Sequence, residues 1–165
     1  MIYLLDANVL IDANRDYFQM KRVPEFWAWL LHQGEQGKIK IPVEVYEEIT
    51  SGVDELSQWG KEANTEANLL LQEDVIVDYV SHVTNVGYAT DLTDIEIEQI
   101  GRDPFLIAYG YVEVGQRTIV TTEVSKPSKR RANRKVPDVC DHFNIPKCNT
   151  FQLLRALDFS TSWNA

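Results

Sequence analysis

Cysteine is scarce: Cys140 and Cys148 are the only two, which is too few for a disulfide framework. Lone cysteines at apolar positions usually serve as small core residues, and neither is given a chemical role. The three histidines, His32, His82 and His142, stand at no metal-ligand spacing to one another or to cysteine, which argues against a zinc hydrolase. No apolar run approaches the roughly 20 residues needed to cross a bilayer. The N-terminus lacks a basic segment followed by an apolar stretch and a small-residue cleavage site, so the expected address is the cytoplasm, away from any membrane. Positive charge is also short. Sixteen cations against 25 acids leave a net charge of −9, too negative for a protein that coats nucleic acid by bulk electrostatics.

What is present suits one folded domain over residues 1–165. The chain is 44% hydrophobic and 10% aromatic, ample for a single buried core and too apolar for a disordered chain. Its charge is uneven. Residues 126–135 hold Lys126, Lys129, Arg130, Arg131, Arg134 and Lys135 with no acid, leaving ten of the 16 cations to face all 25 acids elsewhere. An acidic body with one basic loop suits metal chemistry beside a local phosphate contact. The same composition also suits a solvated, mobile loop.

Ile2-Tyr3-Leu4-Leu5 is a short apolar run of the kind buried on both faces of a parallel sheet, and it ends at Asp6. Asp6-Ala7-Asn8 supplies cap residues before Val9-Leu10-Ile11, which places a strand-to-helix turn there. Pro24 opens a helix from Glu25 to about Gln33, and Lys38–Ile41 reads as a second strand. Pro42 starts a helix through Ile49. Residues 53–72 read as one longer helical stretch. Residues 75–90 fit either a strand at Val75-Ile76-Val77 or a helix through Val80 and Val83. Thr93 or Asp91 caps a short helix ending at Gly101, and Asp103-Pro104 opens another. Thr118–Thr121 is a third strand. Helices from Pro137 to about Phe143 and from Thr150 to Leu157 complete the chain. Strands alternating with helices indicate an α/β domain with a central, mainly parallel sheet.

Four acids fall at strand ends or helix starts: Asp6, Glu47/Glu48, Asp103 and Glu123. In a doubly wound sheet such positions converge on the carboxyl edge, where ligands bind. Clustered carboxylates raise one another's pKa, and a divalent cation relieves that repulsion. Mg²⁺ or Mn²⁺ prefers such oxygen ligands, and one or two ions could activate a water against a phosphodiester. Taken singly, each acid reads as readily as a helix cap, a partner of the helix dipole or a solvated side chain.

Leu4-Leu5-Asp6-Ala7-Asn8-Val9-Leu10-Ile11 resembles the opening of PIN-domain proteins, among them the toxin nucleases of toxin–antitoxin pairs. Val45-Tyr46-Glu47-Glu48-Ile49 is similar to that family's second motif and puts Glu48 in the ligand register, with Glu47 as its exposed neighbour. Arg102-Asp103-Pro104-Phe105-Leu106-Ile107-Ala108 resembles the third motif. Ile119-Val120-Thr121-Thr122-Glu123 resembles the fourth, with Glu123 where the family usually has Asp. The longer Glu side chain shifts its carboxylate by more than about 1 Å. After the basic segment comes a fifth acid, Asp138, which either enters the site and compensates for Glu123 or caps a helix. The whole resembles a PIN subfamily without an assigned function.

The resemblance implies a three-layer PIN-like fold and a Mg²⁺- or Mn²⁺-dependent endoribonuclease. Asp6, Glu48, Asp103, Glu123 and Asp138 are its candidate metal ligands, and Asn8 is expected to hydrogen-bond a metal-bound water or the Asp6 carboxylate. Arg102 and the six cations of 126–135 are the expected RNA contacts, suited to single-stranded substrate. A small antitoxin is the expected partner. A homodimer is also expected, because Phe26, Trp27 and Trp29 exceed what one buried helical stripe needs. The competing reading is a PIN-fold protein that binds RNA or a partner without cleaving. Phosphoaspartate chemistry would need a second Asp two residues after the first, where Asn8 stands.

Overall fold

A computed structural model describes all 165 residues. The chain is an α/β fold around a four-stranded, wholly parallel sheet. Strand β1 (Ile2–Leu5) leads through Asp6 into helix α1 (Ala7–Asp12), which ends in a π-helical turn, Ala13–Tyr17. Helix α2 (Pro24–Glu35), strand β2 (Ile39–Lys40) and helices α3 (Val43–Thr50), α4 (Glu55–Gly60) and α5 (Ala63–Leu69) follow. Helix α6 (Val77–His82) runs into a second π-helical turn, Val83–Tyr88. Then come α7 (Asp94–Ile100), α8 (Asp103–Val112), β3 (Arg117–Val120), α9 (Val136–His142), β4 (Lys147–Cys148) and α10 (Thr150–Ala156). Helices cover the sheet, consistent with a three-layer PIN-like fold. No helix is long and apolar enough to cross a membrane.

The sheet order is β2-β1-β3-β4. Register is set by Tyr3 opposite Ile39, by Leu5 opposite Val120, and by Val120 opposite Cys148. From β1 the chain steps to one side for β2, then crosses back to the other side for β3 and β4. The order therefore reverses between β1 and β3, and their carboxyl ends flank the crevice where such sheets bind ligands. Leu4, Leu5, Ile119 and Val120 are fully buried, as the continuous apolar runs require for strands covered on both faces.

Several expectations need correction. Residues 53–72 form two helices, α4 and α5. The Tyr46 hydroxyl donates to the Gly60 carbonyl at 2.6 Å, so that carbonyl accepts from outside the helix at the break. Gly60 also sits where a Cβ would lie 2.8 Å from Thr50 Cγ2, so the chain passes α3 too closely for a larger residue. Residues 77–88 are helical with a π turn, which settles the ambiguity between strand and helix. The two-residue strand β4 has no periodic signature and was not anticipated. The aromatics of α2 are not left over for a homodimer. Phe26, Trp27 and Trp29 are 1%, 4% and 1% exposed, packed on Phe18, Trp59 and Phe159 of the same chain.

Candidate functional site

Asp6 is the residue that follows β1. Its backbone N–H donates to Val120 O at 2.9 Å, which fixes it beside the end of β3. Thr121, the residue that follows β3, donates its hydroxyl to Asp6 Oδ2 at 2.8 Å. The two strand ends at the switch point are thus joined through their side chains. Asp6 is buried, and burial pushes its carboxyl up to about 6; the charges of Glu123 and Glu48 add to the rise, while the Thr121 hydroxyl opposes it.

Asp103 is the first residue of α8. Gly101 ends α7 with a φ of +50°, and this left-handed turn lets the chain reverse into Arg102 and Asp103. A carboxylate at a helix N-terminus is ordinarily favoured by the dipole. Here burial outweighs it, and Asp103 is raised to about 8, with Asp6, Glu123 and Glu48 each contributing. The four carboxyls predicted to gather are therefore close enough to repel one another. Neither Asp6, Glu48 nor Asp103 forms an ion pair.

Glu48 and Glu47 are both exposed on α3, but their roles differ. Glu47 accepts from Arg102 Nη1 at 2.9 Å, while Glu48 contributes to the repulsion on Asp6 and Asp103. Arg102 also donates to the Glu44 carbonyl, so it bridges α3 to the start of α8. The side chain of Asn8 is exposed and makes no hydrogen bond with Asp6, whose side-chain partner is Thr121; of the two roles expected for Asn8, only the bond to a metal-bound water is left.

Glu123 and Asp138 are engaged otherwise. Glu123 accepts from Val136 N–H at 2.7 Å and faces Lys135 Nζ at 3.4 Å. Asp138 is buried and accepts from the Lys126 N–H at 2.8 Å and from the Ser125 hydroxyl. Both acids thus close the two ends of the basic segment onto α9. The cations of that segment divide likewise. Arg131 pairs with Asp91 and Glu96, and Arg134 donates to the carbonyls of Gly87 and Asp138. Lys126, Lys129 and Arg130 are exposed and form no ion pair.

Sequence reasoning passed over two residues of the site. Thr121 lies within the Thr121-Thr122-Glu123 motif, where a hydroxyl at a strand end two residues before an acid was a usable signal. Tyr88 gave none, because it lies in the stretch of ambiguous periodicity. Its hydroxyl is buried without a hydrogen-bond partner, and its pKa is raised by burial first, then by Asp103 and Glu123.

The donor set consists of hard carboxylate oxygens, which suit Mg²⁺ or Mn²⁺ over softer metals. Two of its members, Asp6 and Asp103, resist ionisation in a way that a bound cation would relieve. As they stand, no three of these side chains are gathered closely enough to hold one ion. Asp6, Asp103 and Glu48 fit such an ion in chemistry; Glu123 does so only on releasing Lys135 and Val136. The cysteines take no part, since burial pushes the Cys140 thiol up to about 12.

Residues 3–161 match the family model described as "Domain of unknown function (DUF4411)", and the chain belongs to that family. No curated protein and no solved structure matches it.

Proposed function

We propose that this member of the DUF4411 family is a metal-dependent endoribonuclease of the PIN type. The observation that carries the reading is the pair Asp6 and Asp103, placed at the switch point without an ion pair and driven toward their protonated forms by burial and by neighbouring carboxylates. A site that keeps unpaired acids together against this repulsion is organised for a cation that is not one of its own side chains.

Asp6, Asp103 and Glu48 would hold Mg²⁺ or Mn²⁺. Such an ion, when bound, supplies an activated water and a counter-charge for a phosphoryl oxygen. The chain's own groups do the remainder. Thr121 fixes one oxygen of Asp6. Asp103 releases its proton when a cation offsets the neighbouring charges. Arg102, held by Glu47 and the Glu44 carbonyl, braces α3 against α8. Lys126, Lys129 and Arg130 meet the phosphates of a flexible single strand. In keeping with the PIN resemblance, the chain acts in the cytoplasm as the toxin of a toxin–antitoxin pair, restrained by a small antitoxin.

One observation favours a second reading, a PIN-fold protein that binds without cleaving. Both carboxylate oxygens of Glu123 are occupied within the chain. The deciding experiment measures cleavage of single-stranded and structured RNA with Mn²⁺ or with chelator, by wild type and by Asp6→Asn. Cleavage that needs the ion and is lost in the variant is expected. Equal rates in wild type and Asp6→Asn would sink the nuclease assignment, and a Mn²⁺ titration showing no ion bound at Asp6 would favour the second reading.

A further inference from the structure

Glu123 lies between the acid site and a cleft of about 400 Å³ at the same edge of the sheet. The walls of the cleft come from the π turn after α1, from the chain beyond β3 and from the start of α10. The rings of Tyr17 and Phe151 stand 5.4 Å apart at 43°, and Phe151 is half exposed, so an aromatic face is left open to the cleft.

The polar groups around this face are only partly used. Asp12 Oδ1 accepts from Arg15, while its Oδ2 has no partner. Asn149 Oδ1 caps α10 by accepting from Gln152 N–H, which leaves its amide nitrogen unbonded.

We propose that this cleft is the subsite for one unstacked nucleobase carrying an exocyclic amino group. A planar, uncharged ring fits the open face of Phe151. A phosphate does not fit, because Asp12 and Glu123 would repel it. The free oxygen of Asp12 accepts from an amino group, as carboxylates do from cytosine. Uracil, which offers carbonyls and a single N–H, matches these acceptors less well. The Asn149 amide supplies a further contact. The placement of the adjoining phosphate at Asp6 and Asp103 rests on the nuclease reading; the base subsite itself does not.

The test titrates the full chain with adenosine, guanosine, cytidine and uridine in the presence of chelator, followed by NMR. Nucleosides carry no phosphate, so binding is read apart from metal and cleavage. The three amino-bearing nucleosides are expected to bind more tightly than uridine. Phe151→Ala should weaken them about tenfold, the scale of one base–aromatic stack. Asp12→Asn should narrow the gap to uridine. Equal binding of all four nucleosides, no binding, or binding unchanged in Phe151→Ala would overturn the proposal. Because Phe151 is half exposed, its variant should keep the wild-type melting temperature, which a parallel melt checks. RNA cleavage by wild type and Asp6→Asn is scored separately. Nucleoside binding without cleavage removes the nuclease reading and leaves the cleft; cleavage without nucleoside binding does the reverse.

Discussion

Two pairs of acids occupy the same edge of the sheet, and the protein treats them in opposite ways. Asp6 and Asp103 form no ion pair and are raised to about 6 and about 8. Glu123 and Asp138 accept backbone N–H groups from the ends of the basic segment and hold it against α9. Hydrogen bonds to a carboxylate favour its charged form, whereas burial without them disfavours it. On the proposed reading the first pair is left for a cation, while the second is committed to architecture. On this view Asp138 is a clasp for the loop and Glu123 stands between the two roles.

The largest effect that would break this contrast is on cleavage. Asp103→Asn should lower metal-dependent RNA cleavage by at least about 100-fold, more than is usual for groups that only orient metal ligands. In the absence of metal the variant should melt no lower than wild type, because it removes a carboxyl that the fold disfavours ionising. A variant that cleaves normally would place Asp103 outside the working site.

Asp138→Ala should do the opposite. It removes the acceptor of the Lys126 N–H and the Ser125 hydroxyl, and a loss of about 1.5–3 kcal/mol in denaturant unfolding is expected. Mn²⁺ affinity, measured by calorimetry, should be unchanged. If affinity falls while stability holds, Asp138 belongs with the metal-binding acids.

Stability against pH sharpens the contrast further. Between about pH 4 and pH 8 the unfolded chain has ionised both acids, while the folded, metal-free chain keeps the Asp6 proton up to about pH 6 and the Asp103 proton up to about pH 8. The folded state binds more protons, so stability falls as pH rises across this window. The change is on the order of 1–3 kcal/mol for Asp6 alone. Saturating Mn²⁺ should flatten it. Below pH 4 the sign reverses, because Glu96, held down to about 2 by Arg131, loses its ion pair on protonation. Thermal melts from pH 4 to 8, with and without Mn²⁺, test this directly; a chelated protein steadier at pH 8 than at pH 5 would contradict it.

The smallest effect concerns the basic segment. Replacing Lys126, Lys129 or Arg130 by Ala should reduce the salt dependence of RNA binding by about 0.7 in slope for each phosphate that is no longer neutralised. Arg131→Ala should leave that slope alone and loosen the segment from α7, because its charge is held by Asp91 and Glu96. Filter binding across salt concentrations separates the two classes.

Much of this was legible along the chain because it depends on local physics. The apolar runs at Ile2–Leu5 and Thr118–Val120 mark strands covered on both faces, and Thr93 does cap α7, through a capping box with Glu96. Glu47, which the family register leaves out of the ligand set, pairs with Arg102. What was not legible depends on packing between distant segments. The break at Gly60 needs Tyr46 from α3, β4 exists only because Ile119 and Val120 are there to pair with it, and the aromatics of α2 are buried by Phe18, Trp59 and Phe159.

By itself, then, the sequence determined an α/β chain with acids at its strand ends and helix starts, because periodicity and caps are properties of neighbouring residues. Only the tertiary structure decided which acids remain without partners. Hydrogen bonding and desolvation are set by what the fold brings across the sheet edge, and that edge assigns Thr121 to Asp6 and Lys135 to Glu123, and leaves Asp103 buried without an ion pair.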